Sequence, residues 1–162
     1  MDMRNLEPSD LSALEHFLIS CNVFNDAEVS CAMELLETVL NNPLQTDYEV
    51  IVAEHESSVA GYALFGEVPL TDGNYDLYWI ATDPARHGQG VGRKLLEEVE
   101  QRLIARGVRM LCLETSSQEI YQRTRNFYLR AGYREEARIC DFYRPQDDRV
   151  TYVKRFLTQT EG

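Results

Sequence analysis

The sequence predicts an α/β domain of the α+β kind: one mixed, mostly antiparallel sheet of six to seven strands flanked by about four helices. Three observations carry the prediction. Stretches with helical apolar spacing and short β-rich runs succeed one another along the chain. Three or four β-rich runs come at hairpin distance before strand and helix begin to alternate. Finally, 162 residues with 44% apolar content can bury a core, and no shift in composition marks a second domain, so residues 1–162 read as one domain.

The elements follow in order. A short strand is expected near Met3 to Leu6. Leu11, Leu14, Phe17 and Leu18 give a helix over Asp10 to Ser20, with Ser9-Asp10 as its N-cap. Val29, Met33, Leu36 and Leu40 give a second helix over Asp26 to Leu40, and Pro43 lies beyond its end. "EVIVAE" (Glu49 to Glu54) and "SVAGYALFGEV" (Ser58 to Val68) are joined by a tight polar turn and read as a hairpin. "YDLYWIA" (Tyr75 to Ala81) is the next strand. Val91, Leu95, Leu96, Val99 and Leu103 line one face of a helix that Gly107 stops. "MLCLET" (Met110 to Thr115) is a strand, Tyr121 to Arg130 a helix, Tyr133 to Cys140 and Val150 to Phe156 the last two strands.

Charge and composition narrow the function. A net charge of −11 argues against a nucleic-acid partner. Its distribution is uneven: Met1 to Asp83 holds 16 acids and the single base Arg4, whereas Pro84 to Gly162 holds 11 acids and 15 bases. No apolar run reaches the roughly 18 residues of a membrane span, and "MDMRNLEPSD" lacks the regions of a signal peptide, so a cytoplasmic chain with no membrane partner is expected. Cys21, Cys31, Cys112 and Cys140 are far apart and form no CxxC pair. No metal site is expected from them, and they read as buried, reduced thiols.

"ARHGQGVGRKLLEEVEQRL" (Ala85 to Leu103) places Gly88, Gly90 and Gly92 directly before a helix. Such an entry offers unpaired N–H groups and the positive end of the helix dipole to an anion. Arg93 and Lys94 stand where acids would ordinarily complement the dipole. A turn built only for tight packing of strand on helix is the plainer alternative. Two nucleotide patterns fail here. GxxxxGK[ST] lacks its Lys directly after the glycine and its Ser or Thr, and GxGxxG meets Arg93 where its third glycine should be.

The third pattern fits. "HGQGVG" (His87 to Gly92) resembles the pyrophosphate loop of the GNAT superfamily of acetyl-CoA-dependent N-acetyltransferases, in which Gln or Arg, two residues, Gly, one residue and Gly or Ala follow one another. His87 departs from it at the first position. "WIATDPARHGQGVGRKLLEEVE" is similar to the family's strand, loop and helix, and "NFYLRAGYREE" to its "FYxxxGF" segment.

The resemblance implies a single-domain N-acetyltransferase with acetyl-CoA as co-substrate, no metal, and a small-molecule or peptide amine as acceptor. Dimers are frequent in the family, so a homodimer is within its range. By resemblance, backbone groups of Ile80, Ala81 and Thr82 pair with pantetheine, and Gly88, Gln89, Gly90, Val91, Gly92 and Arg93 hold the pyrophosphate, with His87 as a loop contact. Tyr128 matches the tyrosine that protonates the departing thiolate. Tyr121 stands where a cofactor-binding Asn is common, and Asn126 is the residue able to substitute for it. Asp76 matches a catalytic carboxylate that some members carry on this strand; alternation puts it on one face with Tyr78 and Ile80. Read without the resemblance, Tyr128 is a half-buried helical aromatic and Asp76 a strand-end acid. The other reading of the whole chain is a non-catalytic module that holds acetyl-CoA as a sensor or scaffold. "CDFYRPQDDRV" reads first as a polar hairpin turn around Pro145, with Asp141 and Tyr143 at an acceptor site as the alternative.

Overall fold

The computed structural model describes residues 1–156. The strands are β1 (Asp2–Asn5), β2 (Glu49–His55), β3 (Ser58–Glu67), β4 (Asn74–Thr82), β5 (Met110–Ser116), β6 (Arg134–Arg144) and β7 (Asp147–Arg155); the helices are α1 (Leu11–Ser20), α2 (Asp26–Asn41), α3 (Val91–Ala105) and α4 (Gln122–Arg130). The strands form a seven-stranded sheet in the order β1-β2-β3-β4-β5-β7-β6. Pairing is parallel between β4 and β5 and antiparallel between β1 and β2, β2 and β3, β5 and β7, and β6 and β7. This is the mixed, mostly antiparallel sheet that the order of elements predicts.

Backbone contacts divide the chain into two compact units. The first comprises Met1–Gly66 and Leu77–Arg102, the second Glu67–Asp76 and, of the described residues, 103–156. In the first unit, Leu14, Leu18 and Leu36 of α1 and α2 are buried together with Val52, Tyr62 and Leu64 of β2 and β3. Trp79 of β4 joins this core and meets Phe24 edge to face at 5.1 Å. An Asn25–Glu28 capping box opens α2, each side chain accepting from the other's N–H.

Asp10 does not cap α1 with its side chain as the sequence suggests. Its carboxylate is buried, accepts the Glu7 N–H at 2.9 Å, and takes two guanidinium bonds from Arg4, which also binds Glu54. The only base of the first 83 residues thus ties β1 to β2 and to the start of α1.

In the second unit, Leu111 and Leu113 of β5 and Val150 and Tyr152 of β7 are buried, whereas β6, at the sheet edge, is exposed along its length. β6 runs to Arg144 and β7 starts at Asp147, both beyond the expected limits. Pro145-Gln146 makes the turn, with Gln146 at φ +66, and Asp141 absorbs a bulge at φ +52 that lets β6 continue. Asp141 accepts the Gln146 N–H at 2.6 Å and donates its own N–H to Asp148 at 3.0 Å. "CDFYRPQDDRV" is therefore a hairpin, as its turn chemistry suggests.

The cysteine expectation fails in part. All four thiols are free, but Cys31 and Cys140 are exposed and Cys21 and Cys112 half-buried. Cys31 lies on the solvent side of α2 and Cys140 on the uncovered edge strand.

Candidate active site

The glycine loop belongs to the first unit. Asp83 accepts the Ala85 N–H at 2.9 Å and opens a single 3-10 turn, Pro84–Arg86, with Arg86 paired to Asp83 at 3.6 Å. Gly88 and Gly90 follow at φ +83 and +80, a backbone conformation that an L side chain resists. A Cβ at either would meet nothing within 4 Å, so it is conformation, with open space in front, that calls for glycine.

The loop's own hydrogen bonds are few: His87 N–H to Pro84, Gln89 N–H to Arg86 and Lys94 N–H to Gly90. Among the described residues, the N–H groups of Gly88, Gly90, Val91, Gly92 and Arg93 have no acceptor within the chain. The first turn of α3 contains no acid, and Arg93 leans onto Glu97 at 2.7 Å. Lys94 is exposed with no side-chain partner among the described residues. Five unpaired donors at a helix start form a site for an anion with several oxygens.

β4 leads into this loop. Leu77 and Ala81 are buried, Tyr78 is 39% exposed, and Ile80 and Thr82 are half-buried, the alternation expected of the strand. The Asp83 N–H bonds the Ala60 carbonyl at 2.8 Å, fixing the strand's exit. The parallel ladder of β4 with β5 covers Asn74–Asp76 against Met110–Cys112.

Asp76 lies in the second unit, opposite Cys112 in that ladder. Burial, and then the charge of Glu114, push its carboxyl above the ordinary carboxylate range. Burial and the Asp76 charge likewise raise Cys112, whose Sγ donates to Asn74 at 3.2 Å. Both effects favour the thiol form of this cysteine over the thiolate.

Tyr128 is only 5% exposed, not half-buried. Its ring lies against Phe127, Tyr133 and Tyr152 at centroid distances of 5.2, 5.7 and 6.4 Å. Its hydroxyl finds no hydrogen-bond partner among the described residues. Burial raises its pKa well above the usual tyrosine value, which keeps the phenol protonated.

α4 is held at both ends. A Schellman motif closes it: the Tyr133 N–H reaches the Tyr128 carbonyl, the Gly132 N–H reaches that of Leu129, and Gly132 stands at φ +91. Lys154 Nζ adds a bond to the Ala131 carbonyl at 3.0 Å. At the other end no side chain caps the helix, and buried Arg125 binds the carbonyls of Ser116 and Gln118 at 2.7 and 2.8 Å and the Gln122 side chain at 2.9 Å. Asn126 is exposed and accepts from Gln122, away from this buried face.

Arg125, Ser116 and Asp147 were not legible as a group. Asp147, 1% exposed, accepts the Ser116 hydroxyl and pairs with Arg144, while the Ser117 hydroxyl accepts the Asp148 N–H. One signal was present: Tyr121, Arg125 and Tyr128 fall at i, i+4 and i+7, so a base stands in what should be an apolar stripe.

A protein-family model of the GNAT acetyltransferase domain matches residues 46–135, over half of the chain. Among solved structures, a GNAT-family protein from Desulfovibrio desulfuricans is 37% identical and superposes with a TM-score of 0.89, over 95% of this chain and 98% of that one. The ribosomal-protein-S18-alanine N-acetyltransferase of Escherichia coli shares the fold at 24% identity and a TM-score of 0.75, over 99% and 96%. So does an aminoglycoside 6′-N-acetyltransferase complexed with coenzyme A, at 14% and 0.76, over 99% and 100%. No curated protein matches the sequence. With loop, preceding strand and α4 all inside the matched segment, the chain belongs to the GNAT family of acetyltransferases.

Proposed function

We propose that this protein transfers an acetyl or short acyl group from acetyl-CoA to a primary amine by direct attack. The observation that carries the reading is the set of five unpaired N–H groups between Gly88 and Arg93, at a helix start free of acids. A pyrophosphate supplies both the acceptors and the negative charge such a site lacks. The coenzyme A held by the aminoglycoside 6′-N-acetyltransferase of the same fold supports that choice of anion. In this reading His87 and Gln89 flank the phosphates, and Ile80, Ala81 and Thr82 offer backbone groups to the pantetheine arm. Asn126, bonded to Gln122 on the exposed side of α4, is the weakest member of the cofactor set.

The chemistry assigns a limited part to each side chain. An amine of pKa ~10.4 and a carboxylate of pKa ~3.9 differ by about 6.5 units, roughly 9 kcal/mol against direct proton transfer. Burial, and the Glu114 charge, raise the Asp76 carboxyl and so narrow that gap. Asp76 therefore acts through water or holds the ammonium until it loses its proton. Attack on the thioester carbonyl then forms the C–N bond, and collapse breaks the C–S bond. The leaving thiolate, conjugate base of a thiol of pKa ~8.5, is a weaker base than a buried phenolate. Tyr128 accordingly stabilises it by donating a hydrogen bond, and the proton that leaves the attacking nitrogen as the amide forms passes through water to the thiolate sulfur. Most of the acceleration comes from holding amine and thioester together.

The test is release of free thiol from acetyl-CoA with a panel of amines that includes polyamines, lysine-type amines, basic peptides and neutral or acidic amines. The acid-rich first half leads us to expect the cationic acceptors to react best. Tyr128→Phe should lower the amine-dependent rate by about 10²-fold, the low end for acid–base groups. Saturating acetyl-CoA at a hundred times its Kd should stabilise the fold by ~2.7 kcal/mol. Stabilisation without thiol release from any acceptor would make the protein a coenzyme A-holding module instead.

A further inference from the structure

We infer that Arg125 is a positioning residue that sets where the Tyr128 hydroxyl stands. The inference rests on the reading of Tyr128 given above. No hydrogen bond within the described chain fixes that hydroxyl, and the buried ring lies against Phe127, Tyr133 and Tyr152. Its position is therefore inherited from the placement of α4. At nine residues, α4 is too short to be stable by itself, so its ends decide that placement.

The C-terminal end is set by the Schellman motif, in which the Tyr128 carbonyl is itself an acceptor. The N-terminal end lacks a side-chain cap, and Arg125 does the anchoring. Its Nη1 joins the last carbonyl of β5, at Ser116, to the carbonyl of Gln118 in the connection, while Nη2 takes the Gln122 side chain. All three partners are neutral oxygens. The Glu135 carboxylate feels the Arg125 charge but makes no hydrogen bond to it, so the positioning lies in the fork that spans several acceptors at once. Arg125 and Tyr128, three residues apart, are the two buried residues of α4. A displacement at one is passed to the other, and a reacting group misplaced by about 1 Å costs on the order of 10²-fold.

A double-mutant cycle tests this. Arg125→Lys keeps the charge and removes the fork. It should lower kcat about tenfold while leaving KM for acetyl-CoA within about twofold. In a Tyr128→Phe background, where no hydroxyl remains to be placed, Arg125→Lys should cost nothing further. Gln122→Ala, which leaves both carbonyl bonds in place, should give a smaller fall that also vanishes with Tyr128→Phe, and it serves if Arg125→Lys does not fold. Full multiplication of the two effects, or a change confined to KM, overturns the proposal while the role of Tyr128 stands. A Tyr128→Phe enzyme as fast as the parent removes both, and that single variant tells the two failures apart.

Discussion

Asp76 keeps its proton to a higher pH in the fold than in the unfolded chain, because burial and the nearby Glu114 charge oppose the anion. The folded state thus binds the extra proton, and stability falls as pH rises from the unfolded carboxylate pKa through the raised folded one. Above that window the penalty is constant. Asp76→Asn should therefore raise the melting temperature slightly at pH 7, with the gain fading below that pKa, while lowering the acetyl-transfer rate by about 10–10²-fold. Thermal melts across pH alongside thiol release would check both signs. Asp10 behaves oppositely: burial opposes its charge, but Arg4 and the Glu7 N–H outweigh it and hold the carboxyl below its usual range. Its contribution is present at neutral pH and lost as pH falls through the depressed pKa. Arg4→Met, which strands this carboxylate, should cost about 3 kcal/mol in denaturant unfolding at pH 7. Neither environment was legible beforehand, because a pKa depends on which groups the fold brings together, here Glu114 near Asp76 and, only six residues away in sequence, Arg4 against Asp10.

At the level of elements, periodicity read the helices and most strands well, since a stripe such as Val91, Leu95, Leu96, Val99 and Leu103 is local information. It read poorly where tertiary bonds set the limits. β6 extends past Cys140 because the Asp141 carboxylate and the Asp148 side chain satisfy the backbone of a bulge. Helical spacing alone makes Tyr128 half-buried, because it does not show that Tyr133 and Tyr152 enclose the ring. The glycine loop was legible because its conformation is a property of the residues themselves. Gly90→Asp should weaken acetyl-CoA binding by at least tenfold in calorimetry, through both the positive φ and a carboxylate set against the phosphates, with little loss of helix content. Unchanged affinity would refute the anion site.

Across the whole chain, the excess of bases after Asp83 has a second use beside any cofactor. Arg138, Arg144, Arg149 and Arg155 pair with Glu135 and Asp148, Asp147, Glu114 and Glu136 in the strands of the second unit. Arg86 and Arg93, near the loop, are paired as well. Four of the fifteen bases after Asp83 are thus occupied in their own sheet and two more beside the loop, which weakens the charge argument for the cofactor and puts more of it on the backbone donors and Lys94. Charge counts could not reveal that, since they do not say who is paired with whom. The cap that Lys154 places on Ala131 has a chemical consequence. Only two of the sixteen Lys and Arg residues are lysines, Lys94 and Lys154. If the proposed acetyl-CoA binds, few lysine amines lie open to stray acylation by its thioester, since Lys154 is tied to a carbonyl and lies over the Tyr133 ring. A brief pulse of an amine-acylating reagent, read by peptide mass spectrometry, should mark Lys94 well before Lys154, and coenzyme A should shield Lys94.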